Sequence, residues 1–271
     1  MSRIKATFAQ LKGHRCALIP FVAGGDPDLA STVPIMHALT RAGADLIEIG
    51  MPFSDPMADG PVIQMAHQRA LQNGATTRRV IEMVAEFRRD NASTPVILMG
   101  YVNPVETMGY GTFAKACAQA GVDGVILVDL PPEEAHDWRT EARAHGIDTI
   151  FLLAPTTNAD RLTRIAEASS GFLYYVALKG VTGAGHLNID NVSQKIKGVR
   201  AVTDLPVGVG FGIRDAKSAF ELSRFSDAVI VGSAIVEKIA AAADPARAIA
   251  DVESFVRTLR DALSVREDAR P

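Results

Sequence analysis

Three carboxylates within one short stretch carry the chemistry that this sequence can be read for. Glu48 stands near the end of the apolar run Leu46-Ile47-Glu48-Ile49, and the loop from Gly50 to Pro61 holds Asp55 and Asp59 among Pro52, Pro56 and Gly60. Prolines fix φ, so such a loop is stiff. An acid inside an apolar strand is costly to bury in its charged form; its pKa therefore rises, as a general acid or base working near neutral pH requires. On this stretch alone the alternative stays open that Glu48 lies at an exposed strand end and that Asp55 and Asp59 only make turns.

A second chemistry is suggested by glycines. Lys179-Gly180-Val181-Thr182-Gly183-Ala184-Gly185, Gly208-Val209-Gly210-Phe211-Gly212-Ile213 and Val231-Gly232-Ser233 each follow or end an apolar run. Glycines let backbone N–H groups approach an anion, and a helix opening at Ser233 points its positive end the same way. Gly183, Gly212, Gly232 and Ser233 read as a phosphate site, although a single glycine loop is most often only a turn. Phe21, Ile63, Met99, Ile126, Leu152, Tyr174 and Phe211 lie in or beside the apolar runs and could line a slot between the acids and that phosphate, suited to an aromatic phosphate ester; each alone reads equally as core. Lys179 could form a Schiff base, but its place in a glycine loop rather than inside a strand offers no desolvation to lower its pKa. His14, His37, His67, His136, His145 and His186 show no metal-ligand spacing, and a structural or surface role is expected of each.

The elements that must position these residues repeat. Ser2 to Leu11 has helical spacing and reads as a short cap over one end of the domain. Apolar runs at Cys16–Val22, Leu46–Ile49, Pro95–Met99, Gly124–Val128, Asp148–Leu153, Phe172–Val176, Val207–Val209 and Ala228–Val231 alternate with helical patterns, the last from Pro245 to about Leu263. Runs apolar on both faces and separated by helices imply a parallel sheet covered on each side, and about eight such units imply a (β/α)8 TIM barrel with an extra N-terminal helix, an open doubly wound sheet being the alternative. In a barrel, active residues come from the carboxyl ends of the strands, where Glu48, Asp59 and the glycine loops all fall.

With 271 residues, 48% of them hydrophobic and no linker-like composition, a single domain over 1–271 is expected. A net charge of -3 without a basic block argues against nucleic acid as a partner. No apolar run approaches the roughly 20 residues that cross a bilayer. Two distant cysteines, Cys16 and Cys117, and no apolar leader fit a reducing cytoplasm.

At this point the sequence resembles a known family, the alpha subunit of tryptophan synthase. The resemblance rests on Pro20-Phe21-Val22 with Gly25-Asp26-Pro27, the long segment Glu48 to Pro61, Tyr101 with Asn103-Pro104, Asp129-Leu130-Pro131, Gly180-Val181-Thr182-Gly183, Gly210-Phe211-Gly212-Ile213 and Val231-Gly232-Ser233, in that order from about residue 17 to 240. It implies a (β/α)8 barrel that cleaves indole-3-glycerol phosphate to indole and glyceraldehyde 3-phosphate, with Glu48 and Asp59 catalytic. Substrate would meet Tyr174, Thr182 and the apolar slot, and its phosphate would meet Gly183, Gly212, Gly232 and Ser233. The resemblance also implies no cofactor in this subunit, and as partner the pyridoxal-phosphate-dependent beta subunit in an alpha2-beta2 complex. Leu178 and Lys179 stand where the family often carries arginine then serine, which bears on contacts of that loop. A barrel lyase or isomerase acting on another phosphorylated metabolite would share the phosphate rim without the pairing of Glu48 with Asp59, and a noncatalytic phosphate-binding protein would need neither acid.

Overall fold

Alternation decides the architecture, because successive side chains of a strand point to opposite faces and both faces of these strands are apolar. The computed structural model describes residues 2–176, 189–210 and 212–264. Along the chain come α1 (Arg3–Leu11), β1 (Ala17–Ala23), α2 (Thr32–Arg41), β2 (Ile47–Gly50), α3 (Pro61–Gln72), α4 (Thr77–Phe87), β3 (Val96–Gly100), α5 (Val102–Met108), α6 (Tyr110–Ala120), β4 (Gly124–Leu127), α7 (His136–Ala144), β5 (Asp148–Thr149), β6 (Leu152–Leu153), α8 (Ala159–Ala168), β7 (Leu173–Val176), α9 (Ile189–Arg200), β8 (Val207–Gly210), α10 (Ala216–Ser223), β9 (Ala228–Val231), α11 (Ser233–Ala241) and α12 (Pro245–Ser264).

All strand pairs are parallel, in the order β5-β4-β3-β2-β1-β9-β8-β7-β6. The two ends of that order are two halves of one pass of chain. Ile150 donates its N–H to Val125 O at 3.0 Å on one side, and Phe151 O accepts the Tyr174 N–H at 3.2 Å on the other. The expected strand over Asp148–Leu153 therefore closes the sheet on itself, and the fold is a (β/α)8 TIM barrel with an extra N-terminal helix.

Leu18, Val22, Ile47, Ile49, Leu98 and Val125 face outward into the layer beneath the helices, while their neighbours Ala17, Ile19, Leu46, Ile97, Ile126, Ile150, Phe172, Ala228 and Ile230 fill the barrel interior. Helix α1 closes the amino end. Its N-cap Ser2 accepts the Lys5 N–H at 3.2 Å and donates to Asp148 Oδ2 at 2.7 Å, and its buried face sends Ile4 and Phe8 into the interior cluster, Phe8 lying 5.7 Å from Phe172 between ring centroids. The same end is tied by two carboxylates: Asp123 takes Arg3, Arg88 and the Val96 N–H, and Asp45 takes Arg15, Arg260 and the Leu18 N–H. The carboxyl end carries no such closure among the described residues. Helix α5 was not legible as a helix, because Pro104 reads as a breaker, yet it occupies the first turn, where its missing N–H has no helical partner to lose. Among the described residues no helix is long and apolar enough to cross a membrane.

Candidate active site

Strand β2 places Glu48 opposite Phe21 of β1 and Ile97 of β3, on the inward set that begins with Leu46. The next inward position is Gly50, and its lack of a side chain is what admits Phe21, since a Cβ there would stand 2.7 Å from Phe21 Cζ. Glu48 is only 1% exposed, and its Oε2 has no hydrogen-bond partner among the described residues. Burial, and secondarily the negative charge of Asp59, pushes its carboxyl up to about 8. At neutral pH Glu48 therefore favours the protonated form, with a proton that it can give away.

Asp59 is held from several sides. Its N–H donates to Pro56 O at 3.0 Å, its carbonyl accepts Gln64 Nε2 at 2.8 Å, and its Oδ2 accepts the Tyr101 hydroxyl at 2.8 Å. Tyr101, buried at the end of β3, also accepts the Ala58 N–H at 3.0 Å, and its ring lies 5.2 Å from that of Phe53. Further back, the Phe53 N–H donates to His67 Nδ1 at 3.2 Å on α3, whose first residue is Pro61. Burial raises the Asp59 carboxyl, with the Tyr101 hydrogen bond and the nearby His67 opposing that rise. The loop expected to be stiff is thus a turn of hydrogen bonds whose product is the placement of one carboxylate beside Glu48.

Phe21, Met99, Ile126, Leu152 and Tyr174 belong to the inward clusters; Met99, Leu152 and Tyr174 keep some accessible surface toward the carboxyl end. Ile63 reaches the same place from α3, packed with Phe21, Ala23 and Val236. Glu48 and Asp59 both push the Tyr174 phenol further above its usual range, after burial, which sets that ring beside the acids. Gly210 opposes it: a Cβ there would run into the Tyr174 ring. Gly232 caps the N-terminus of α11 with no side-chain hydrogen bond, a Cβ on it would lie 3.5 Å from Phe21 Cδ1, and Ser233 is the exposed first residue of the helix. Gly212 has φ 69°, a conformation that glycine adopts without strain. Lys179, Thr182, Gly183, His186 and Phe211 lie outside the described residues.

Two residues of the site went unassigned in the sequence. Tyr101 stood there only as part of a motif, and His67 was read with the other histidines as structural or superficial. The available signal for His67 was its spacing with Ile63, Ala66 and Ala70, which puts it on the buried face of α3 pointing at the acid loop. Among the described residues no group of three or more His, Cys, Asp or Glu side chains could hold a metal ion.

The comparisons with known proteins agree in kind. The family model described as tryptophan synthase alpha chain matches residues 8–264. The tryptophan synthase alpha chain of Thioalkalivibrio sulfidiphilus is 61% identical over 241 residues, covering 89% of this chain and 91% of that one, and that of Dechloromonas aromatica is 55% identical over 261 residues, covering 96% and 97%. A crystal structure of tryptophan synthase subunit alpha from Legionella pneumophila superposes with a TM-score of 0.89 at 41% identity, covering 97% of this chain and 98% of that one. With acids, inward slot and uncapped helix end all at the carboxyl end of such a barrel, the chain belongs to the tryptophan synthase alpha chain family.

Proposed function

We infer that this chain is a carbon–carbon lyase of tryptophan biosynthesis, cleaving indole-3-glycerol phosphate to indole and glyceraldehyde 3-phosphate. The observation that carries the reading, beyond family membership, is a buried Glu48, its carboxyl pushed up to about 8 by burial and by nearby Asp59, at the carboxyl end of the barrel. Indole is a poor carbanion leaving group until its C3 is protonated. Glu48 supplies that proton, and the glycerol hydroxyl loses its own to a base, a role that Glu48 can take once it is ionised. Protonation at C3 puts positive charge on the ring nitrogen, and Asp59 accepts the N–H and stabilises that charge. Phe21, Ile63, Met99, Ile126, Leu152, Tyr174 and, from sequence, Thr182 and Phe211 hold the substrate. The phosphate sits on Gly212, Gly232, Ser233 and, from sequence, Gly183; the uncapped start of α11 and the backbone of Gly212 support that placement.

No cofactor is needed for these steps in this subunit. The partner is the pyridoxal-phosphate-dependent beta subunit, in an alpha2-beta2 complex that takes up the indole. Supporting it, Met57 is 85% exposed on the very loop that carries Asp59, an apolar side chain left on the rim of the site. The chain acts as one domain over 1–271 and works in the cytoplasm. The test is release of indole from indole-3-glycerol phosphate by the purified chain, with and without beta subunit. Cleavage in neither case overturns the reading.

A further inference from the structure

Among the described residues, His67 is the histidine that reaches the acid loop. It is 3% exposed, sits on the buried face of α3 between Ala66 and Arg69 turns, and its Nδ1 accepts the Phe53 N–H at 3.2 Å. An N–H can be accepted only by a ring nitrogen that carries no proton, so this contact requires the neutral tautomer with hydrogen on Nε2. Two carboxylates face the ring. Asp59 comes from the loop, itself bound by Tyr101 from β3, and Asp26 comes from the segment after β1. Asp26 is already neutralised by Arg69 from α3 through a two-pronged contact at 2.7 and 2.9 Å. His67 therefore stands between Asp26, which has its cation, and Asp59, whose carboxyl among the described residues is bound by a phenol.

We propose that His67 is a positioning residue for the cleavage reaction: its unprotonated Nδ1 anchors Phe53 to α3 and so fixes the loop on which Asp59 is carried. Tyr101 holds the far half of that loop, at Ala58 and Asp59, while His67 holds the near half. Removing either anchor frees the carboxylate to shift, and a displacement of about 1 Å in a catalytic group can cost roughly 10²-fold in rate. Burial holds the imidazole below its usual value, against the pull of Asp59 and Asp26, which keeps the anchoring tautomer in place at neutral pH.

The inference rests on the proposed lyase activity, and its test separates the two. Indole release is measured at saturating beta subunit for the unsubstituted chain, His67→Leu and His67→Asn, and the unsubstituted chain is followed by nitrogen NMR of its imidazoles and of the Phe53 amide as pH falls. Asn can offer an oxygen near the place of Nδ1. His67→Leu should lose at least about tenfold in kcat with KM changed less than about threefold, and His67→Asn should recover most of that loss. In the unsubstituted chain Nδ1 should be unprotonated at pH 7.5, and the Phe53 amide should shift in step with His67 protonation below pH 6.5. Unchanged kcat in a folded His67→Leu, equal loss in folded Leu and Asn variants, or a protonated Nδ1 at pH 7.5 would each overturn the proposal. If His67→Leu does not fold, the NMR arm decides alone: a Phe53 amide indifferent to His67 titration overturns it. Absence of indole release from the unsubstituted chain would reject the activity and leave the NMR arm intact.

Discussion

The Tyr101 hydroxyl donates to Asp59 Oδ2 at 2.8 Å while accepting the Ala58 N–H at 3.0 Å, so one phenol oxygen fixes both the carboxylate and the backbone beside it. The contact joins residues 42 positions apart and holds the Asp59 carboxyl down against the rise that burial imposes. Tyr101→Phe should lower kcat roughly tenfold, about the worth of one hydrogen bond to a charged group, and should move the acid limb of the rate profile to higher pH. Asp59→Asn should cost about 2.7–4 kcal/mol in the barrier with a smaller effect on binding. Steady-state kinetics across pH check both, and a rise in KM alone in the Asp59 variant would make that residue a binding group.

Glu48→Gln keeps the shape and loses the transferable proton, so indole release should fall at least about 10²-fold while substrate still binds. The same variant reads out stability. Because the folded carboxyl titrates at about 8 and the unfolded one near 4.5, the native state holds the extra proton between those values. Stability from this group is complete below pH 4.5 and is lost as pH rises toward 8, on the order of 5 kcal/mol in all. Denaturant titrations should show the unsubstituted chain losing ground to Glu48→Gln from pH 5 to pH 8; parallel curves would mean that Glu48 is ionised throughout.

Gly232→Val should fold, since its Cβ would make only ordinary contact with Phe21 at 3.5 Å, while the branched methyls take up room before the first turn of α11. Binding of glycerol phosphate should weaken at least tenfold and binding of free indole should change little. Calorimetry with the two ligands separates these, and equal losses would misplace the phosphate.

Gly210→Ala drives a methyl into the Tyr174 ring, which must move or the strand must part from its neighbour. Overpacking of this kind costs about 1–3 kcal/mol, and here it also displaces a wall of the slot. Thermal unfolding should show the loss, and kcat/KM should fall further than stability alone explains.

For the partner, the isolated chain should be slow, and beta subunit should raise indole release at least tenfold, mainly through kcat, by repositioning the loop of Asp59. Met57→Asp should weaken that association at least tenfold, because Met57 is exposed in the free chain and costs nothing there to replace. Full activity in the isolated chain would refute the coupling.

The barrel was legible because periodicity is local: every strand pass was read, with bounds within a few residues. What escaped was either masked or distant. The break of strand five at Ile150-Phe151 has no mark in an apolar run, and Pro104 hid α5. Glu48 was legible as a charge inside a strand, and Asp59 as an acid in a stiff loop. The partners of Asp59 were not, because Tyr101 and His67 meet that loop through contacts 42 and 14 residues apart, which no spacing rule foretells.

Helix α1 has a bearing on traffic as well as on packing. By seating Ile4 and Phe8 in the amino end, it plugs that mouth of the barrel. A stopper there leaves the exchange of substrate and product to the side of the barrel that carries the acids.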